Sequence, residues 1–189
     1  GAEVEVTMLF ADIRGSTRIA EEIGTTAFSQ LINRFYKATT DSLIRKLAFI
    51  DKLIGDEVTA YFVSGVAGPD YTKKAIETAW DILEVTGHQD AEGPWAPVGI
   101  GVHSGVAFVG AVGTPDGLNE VTVLGDVPNT AARLASQAKA GEIVLSEATA
   151  ERAQLDISGL ESCTLDLKGK SEPFQAWSLP IAAGEPVFK

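Results

Sequence analysis

Cysteine is almost absent from this 189-residue chain: the single one, Cys163, cannot close an internal disulfide. It also lacks a CxxC partner or a histidine neighbour that would suggest a metal site, and a reducing cytoplasm fits best. No apolar run approaches the roughly 20 residues that span a bilayer, and the N-terminus lacks the basic-then-apolar order of a secretory signal, so no direct membrane contact is expected. Gly1 stands where a methionine would begin a whole protein, which fits an excised domain whose neighbours, an anchoring segment among them, lie outside this stretch. Basic residues are outnumbered, 15 Lys and Arg against 26 Asp and Glu, for a formal net charge of -11. That argues against a nucleic-acid backbone as partner, because such binding needs clustered cations. A small anionic substrate stays compatible if metal ions and a few local cations offset the field. Repeats and low-complexity tracts are missing too. What is present, 45% hydrophobic residues, suffices for one globular domain over 1–189 and excludes a disordered chain.

The segment EVEVTMLFA, rich in β-formers, predicts a strand ending at Asp12, followed by the turn IRGST. Phe28, Leu31, Ile32, Phe35, Thr39 and Leu43 recur at helical spacing, which predicts a long amphipathic helix over about 26–46, capped by Thr25 or Thr26. AFIDKLI and VTAYFV, separated by Gly55-Asp56-Glu57, predict a tight hairpin with Asp56 at its tip. A second helix spans about 69–86, and VGIGVHS and VAFVGAV read as two strands around Gly105. VTVLG then reads as a short strand, and Asp126 and Pro128 suit the cap and first turn of a helix through Asn129, Arg133 and Ala138. The tail adds a strand at EIVLS, a short helix opened by Ser146, and strands around CTLDLKG and PFQAWSL. Strand, helix, hairpin, helix, strand is the order of an α+β, ferredoxin-like βαββαβ core, here with additional C-terminal α/β elements. Its helices cover one face of the sheet, and the other face needs a partner or an extra layer.

In such a sheet the first strand is expected beside both arms of the hairpin, so Asp12 and Asp56 converge and can bind divalent cations. Magnesium takes one or two protein carboxylates and fills its octahedron with water and phosphate oxygens. Taken singly, Asp12 also suits a turn cap, and Gly-Asp is ordinary hairpin chemistry. Gly15, Ser16 and Thr17 lead into a helix start, whose free N–H groups and dipole favour a phosphate. Asn129 and Arg133, four positions apart on one helix face, can act on one target. His103, near a strand end, reads as a structural histidine.

FADIRGST, DKLIGDEV, GVHSGVAFVGAVG, VTVLGDVPNTAARLAS and DLKGKSEPFQAW occur here in the order seen in class III adenylate and guanylate cyclase catalytic domains, so the chain resembles that family over about 4–180. The resemblance implies the class III cyclase fold and a head-to-tail homodimer whose sites lie between subunits, the metal aspartates coming from one chain and the transition-state residues from the other. It implies two Mg²⁺ or Mn²⁺ ions per site on Asp12, Asp56 and the Ile13 carbonyl. Asn129 then orients the ribose, Arg133 stabilises the reacting phosphate, and Lys168 on the late strand binds the triphosphate. Lys52 with Thr122 is similar to the pair that reads adenine, so ATP is the implied substrate and 3′,5′-cyclic AMP the product. Guanylate cyclases typically carry glutamate and cysteine there. Gly99 departs from the pattern, since many members have an arginine four residues before the His-Ser-Gly strand end. Three alternatives stay open: a cyclase-like nucleotide-binding module with weak or no turnover, a guanylate cyclase, and a phosphoacceptor domain labelled at Asp12.

Overall fold

The computed structural model describes residues 1–169 and 171–189. Strand β1, Ala2–Ile13, is buried on both faces from Val6 to Ala11, which explains its near-continuous apolar sequence. Helix α1, Ser16–Ile23, and helix α2, Thr25–Arg45, follow. Gly24 is the cap residue of α2 and Thr25 its first helical residue, so neither threonine caps it. Strands β2, Phe49–Ile54, and β3, Glu57–Phe62, form the hairpin. The predicted helix over 69–86 is α4, Tyr71–Val85; a short α3, Ser64–Ala67, precedes it, with Gly68 at positive φ between the two.

Strand β4, Val98–Gly113, is one continuous strand where two were expected. The reason is β1: its register runs unbroken from Ile13 opposite Val98 to Ala2 opposite Val109, with Val6 opposite Gly105, so one ladder carries the chain through the glycine. Gly105 is there for closeness. A Cβ on it would lie 2.7 Å from Val127 Cγ2, and one on Gly101 would lie 2.5 Å from the Ala131 carbonyl. Both contacts belong to α5, Asp126–Gln137, which lies directly on β4. Gly125 precedes α5 as its cap residue, and Asp126 is the first acidic residue of its first turn. Between β4 and α5 runs β5, Asn119–Leu124, pairing with the far half of β4.

The C-terminal elements are β6, Glu142–Ser146; α6, Glu147–Ala153; β7, Glu161–Leu165; and β8, Phe174–Pro180. Ser146 caps α6 as expected, its hydroxyl accepting from the Thr149 N–H. Among the described residues the sheet has eight strands in the order β2-β3-β1-β4-β6-β8-β7, with β5 attached to β4. The first four are the ferredoxin-like core. β1 touches only one arm of the hairpin, β3, because β2 pairs on β3's outer side. The α2 and α4 face buries Leu9, Ile13, Phe35, Leu43, Ile76 and Leu83. The other face is closed in part by the chain itself, where α5 and β5 pack Val127, Ala131 and Val123 onto Val6, Met8 and Phe10.

His88 fastens the end of α4 to the start of β4. Its Nε2 accepts from the Val98 N–H at 3.2 Å, so Nδ1 carries the proton and faces the Leu83 carbonyl at 3.0 Å and the Thr86 hydroxyl at 3.0 Å. Burial lowers its pKa, against a smaller opposing effect of the Leu83 bond. The unfolded chain therefore binds more protons as pH falls through about 6.5, and the stability from neutral His88 is full above that value and lost below it. A urea-unfolding series from pH 8 to 5 should show this decline, and His88→Asn should flatten it.

Candidate active site

Asp12 lies near the end of β1, opposite Glu57 on β3 and Gly99 on β4. The two-residue hairpin turn is Gly55-Asp56, with Gly55 at φ 56, where glycine costs least. The Ile13 N–H donates to the Asp56 carbonyl at 3.0 Å, and the Tyr36 hydroxyl of α2 donates to the Gly55 carbonyl at 2.5 Å. The tip is thus tied to β1 from one side and to α2 from the other, which brings the two acids together.

Burial pushes the Asp12 carboxyl above the usual range, the Arg14 guanidinium pulls it back, and Asp56 adds a further rise. Arg14 donates to Asp12 Oδ1 at 3.1 Å and to the Ala135 and Ser136 carbonyls of α5 at 3.1 and 3.2 Å. Glu57 is also raised, by burial and then by Asp12 and Asp56. Burial is thus the main cost of charge on these acids, and a bound divalent cation is one means of offsetting it. Among the described residues no group of three or more His, Cys, Asp and Glu side chains is arranged to hold a metal ion. Two carboxylates beside a peptide carbonyl are a sparse set, of the kind magnesium completes with water and phosphate.

Gly15, at φ 66, turns the chain into α1, whose first turn has no side-chain cap and no acidic residue. Its first N–H groups stay available to an anion. Ser16 and Asp56 line one cleft of about 510 Å³ with Phe28, Ile32, Asn33 and Tyr36. Thr17, next to Ser16, is exposed.

The remaining predicted residues gather elsewhere. Lys52 Nζ of β2 lies 3.4 Å from Thr122 Oγ1 of β5 and donates to Glu120 at 2.5 Å. Asn129 and Arg133 are exposed on the first turns of α5, Asn129 donating to the Gly125 carbonyl at 3.4 Å. Arg133 donates to the Asp166 carbonyl at 3.0 Å, which holds the turn bearing Lys168 against α5. Lys168 was expected on a strand, but β7 ends at Leu165 and the lysine sits exposed in the turn beyond it. Lys170, within the DLKGKSEPFQAW motif, lies outside the described residues. Among the described residues no hydrogen bond or ion pair joins Asp12 or Asp56 to Lys52, Thr122, Asn129, Arg133 or Lys168. The acids and the remaining predicted residues thus share no direct polar contact within one protomer, although Arg14 links Asp12 to the Ala135 and Ser136 carbonyls of α5.

His103 belongs to neither group. It is bonded through Nδ1 to Ser146 Oγ at 2.7 Å, at the end of a buried hydroxyl chain through Thr149, Ser104 and Thr7 to Thr72. Residues that sequence reading left unassigned are Arg14, which fills the space beside Gly99 with Cδ 3.0 Å from where a Cβ would sit, and Tyr36, Asp51 and Glu120. Arg14 stands inside a motif and was open to suspicion. The other three are recognisable only from contacts across the fold.

A βαββαβ core that sets one carboxylate near a strand end and a second in the adjoining hairpin turn, beside a helix start open to an anion, suits a site for metal-bound phosphate. The family model for the adenylate and guanylate cyclase catalytic domain matches residues 2–178, and the chain belongs to that family, the class III nucleotide cyclases. It is 28% identical over 177 residues to the terminal-differentiation-specific adenylate cyclase of Dictyostelium discoideum, covering 88% of this chain and 8% of that protein. The chain spans less than a third of the length of this and two further curated relatives it matches. Among solved structures, the guanylyl cyclase Cya2 superposes with a TM-score of 0.83 at 23% identity, covering 94% of this chain and 92% of that one. The adenylyl cyclase CyaB from P. aeruginosa superposes with a TM-score of 0.79 at 25% identity, covering 94% of each chain. Adenylyl and guanylyl cyclases both stand among these relatives. No helix among the described residues is long and apolar enough to cross a membrane.

Proposed function

We propose that this domain is an adenylate cyclase that forms 3′,5′-cyclic AMP and pyrophosphate from ATP at sites shared between two copies of the chain. The observation that carries the choice of ATP is the pairing of Lys52 with Thr122, 70 residues apart in sequence and 3.4 Å apart in space. An ammonium and a hydroxyl suit the N1 acceptor and exocyclic amine of adenine, whereas guanine presents a donor to the lysine and leaves buried groups unpaired. The shared site is what membership of the family suggests, and it is in keeping with the lack of any hydrogen bond or ion pair, among the described residues, between the two acids and the other proposed residues. The uncovered sheet face supports this, for it holds an apolar groove lined by Val4, Phe49, Tyr61, Val63, Val109 and Val121.

Asp12 and Asp56, with the Ile13 carbonyl, would hold two Mg²⁺ or Mn²⁺ ions, whose charge supplies activation of the 3′-hydroxyl and neutralisation of the phosphates. The N–H groups after Gly15, with the Ser16 and Thr17 hydroxyls, receive the triphosphate, and Lys168 of the other copy closes on it. Asn129 orients the ribose so that its 3′-oxygen lies in line with the α-phosphorus. As that bond forms, the 3′-hydroxyl proton leaves to solvent and the bond to pyrophosphate breaks, while Arg133 stabilises the charge on the phosphoryl oxygens. No covalent intermediate with the protein is required.

Gly99 favours the second reading, a nucleotide-binding module of weak turnover, although Arg14 leaves a guanidinium close by. The purified domain, assayed with ATP and GTP and with Mg²⁺ and Mn²⁺ at concentrations that favour the dimer, is expected to make cyclic AMP faster than cyclic GMP. ATP binding without pyrophosphate release selects the module, and faster cyclic GMP formation selects a guanylate cyclase.

A further inference from the structure

Strand β2 is irregular at the residue before Lys52. Its register with β3 passes from Ile50 opposite Ala60 to Lys52 opposite Thr59, leaving Asp51 as the extra residue of a bulge. A bulge re-aims side chains, and here Asp51 and Lys52 both reach the cluster at Thr59 and Thr122. Asp51 Oδ2 accepts from the Thr59 hydroxyl at 3.1 Å. Its other oxygen, Oδ1, is buried and has no hydrogen-bond partner.

Thr122 is buried, and a hydroxyl has one proton and two lone pairs. Lys52 can only donate, so in the Lys52 contact the Thr122 oxygen is the acceptor. The Thr122 proton is then free for another acceptor, and in the cluster that Thr59 and Lys52 join, Asp51 Oδ1 is buried, acceptor-only and without a hydrogen-bond partner. Burial raises the Asp51 carboxyl, while the Thr59 and Thr122 hydroxyls oppose that rise, which agrees with both hydroxyls facing it.

We propose that Asp51 is a positioning residue that takes the Thr122 proton and so fixes Thr122 as an acceptor toward the base, setting the preference for adenine over guanine. The inference rests on the reading of Lys52 and Thr122 as the base-reading pair. With its proton committed, Thr122 offers a lone pair that suits the exocyclic amine of adenine and repels the O6 carbonyl of guanine. A carboxylate cannot return a proton, so the hydroxyl cannot turn round to donate to guanine. Asparagine at position 51 removes that restriction, because its amide can donate to the Thr122 oxygen and free the hydroxyl proton for O6. Glu120 also holds Lys52 but is largely exposed, and it constrains the lysine rather than the threonine.

The test compares kcat/KM for ATP and for GTP in the wild type, Asp51→Asn, Thr122→Val and the double variant, with Mn²⁺. Where turnover is low, competition of ATP and GTP for a fluorescent triphosphate analogue reads the same ratio. Asp51→Asn is expected to lower the ATP-to-GTP ratio by about tenfold, chiefly through the KM for ATP. The double variant should match Thr122→Val alone, since Asp51 acts only through the hydroxyl. A ratio does not depend on the fraction of folded protein, so a destabilised variant still reports. An unchanged ratio in Asp51→Asn while Thr122→Val shifts it overturns the role of Asp51, and so do additive effects in the double variant. If Thr122→Val itself leaves the ratio unchanged, the base is read elsewhere and the pairing with Lys52 falls as well.

Discussion

An Asp12→Asn domain is expected to lose cyclase activity by at least about 10³-fold while keeping, or slightly gaining, thermal stability. The loss follows from removing a ligand to metal ions that supply several kcal/mol of charge stabilisation in phosphoryl transfer. The stability follows from the sign of the pKa shift. Burial and the neighbouring Asp56 outweigh Arg14, so the Asp12 carboxyl lies above its ordinary value in the folded protein. A group whose folded pKa is raised above 3.8 costs stability when ionised, and that cost disappears as pH falls through its folded pKa toward the unfolded value. Asparagine removes the charge in nearly the same shape and should flatten that part of the stability curve. Melting curves with and without Mn²⁺ complete the check: the ion should raise the Tm of the wild type by linkage and leave the variant nearly unmoved. An inactive variant that also melts far lower would point to a structural role for Asp12.

Mixing two inactive variants should restore activity. Arg133→Ala is expected to lose about 10²–10³-fold in rate, the usual effect of removing one donor from charge developing in the transition state. In the proposed shared site, Asp12→Asn and Arg133→Ala damage residues that come from different subunits. In a heterodimer of the two, one site combines both lesions and the other combines both intact halves. Random exchange of equal amounts makes half the dimers mixed, each with one good site of two, so activity should recover to roughly a quarter of the wild type. Product formation after subunit exchange measures this directly, with each variant alone as the baseline. No recovery after demonstrated exchange would mean that Asp12 and Arg133 serve one site within one chain.

How much of this was legible before folding can be followed residue by residue. The hairpin around Gly55-Asp56, the α2 stripe from Phe28 to Leu43 and the Ser146 cap were readable because each depends on neighbours within a few positions. The break expected near Gly105 was misplaced because a glycine in a strand signals either interruption or close approach, and only α5 lying across β4 decides between them. The helix over 69–86 was readable as α4, whereas the short α3 before Gly68 is too brief to carry a periodic signal. Lys168 was put on a strand because CTLDLKG alternates well, yet β7 ends where its pairing with β8 ends, at Leu165 opposite Phe174.

The sequence by itself determined most of the order of elements and the family, and it supplied the acids, amide, arginine and lysines proposed for the chemistry. All of these rest on local periodicity and on motifs whose residues lie close along the chain. Tertiary structure alone decided that Ile13 ties down the Asp56 turn, that Arg14 bridges Asp12 to α5, and that Lys52 meets Thr122 while the bulged Asp51 bonds Thr59. Those relations depend on strand register, on a bulge and on the packing of a helix far along the chain, and such long-range geometry leaves no mark on the spacing of residues.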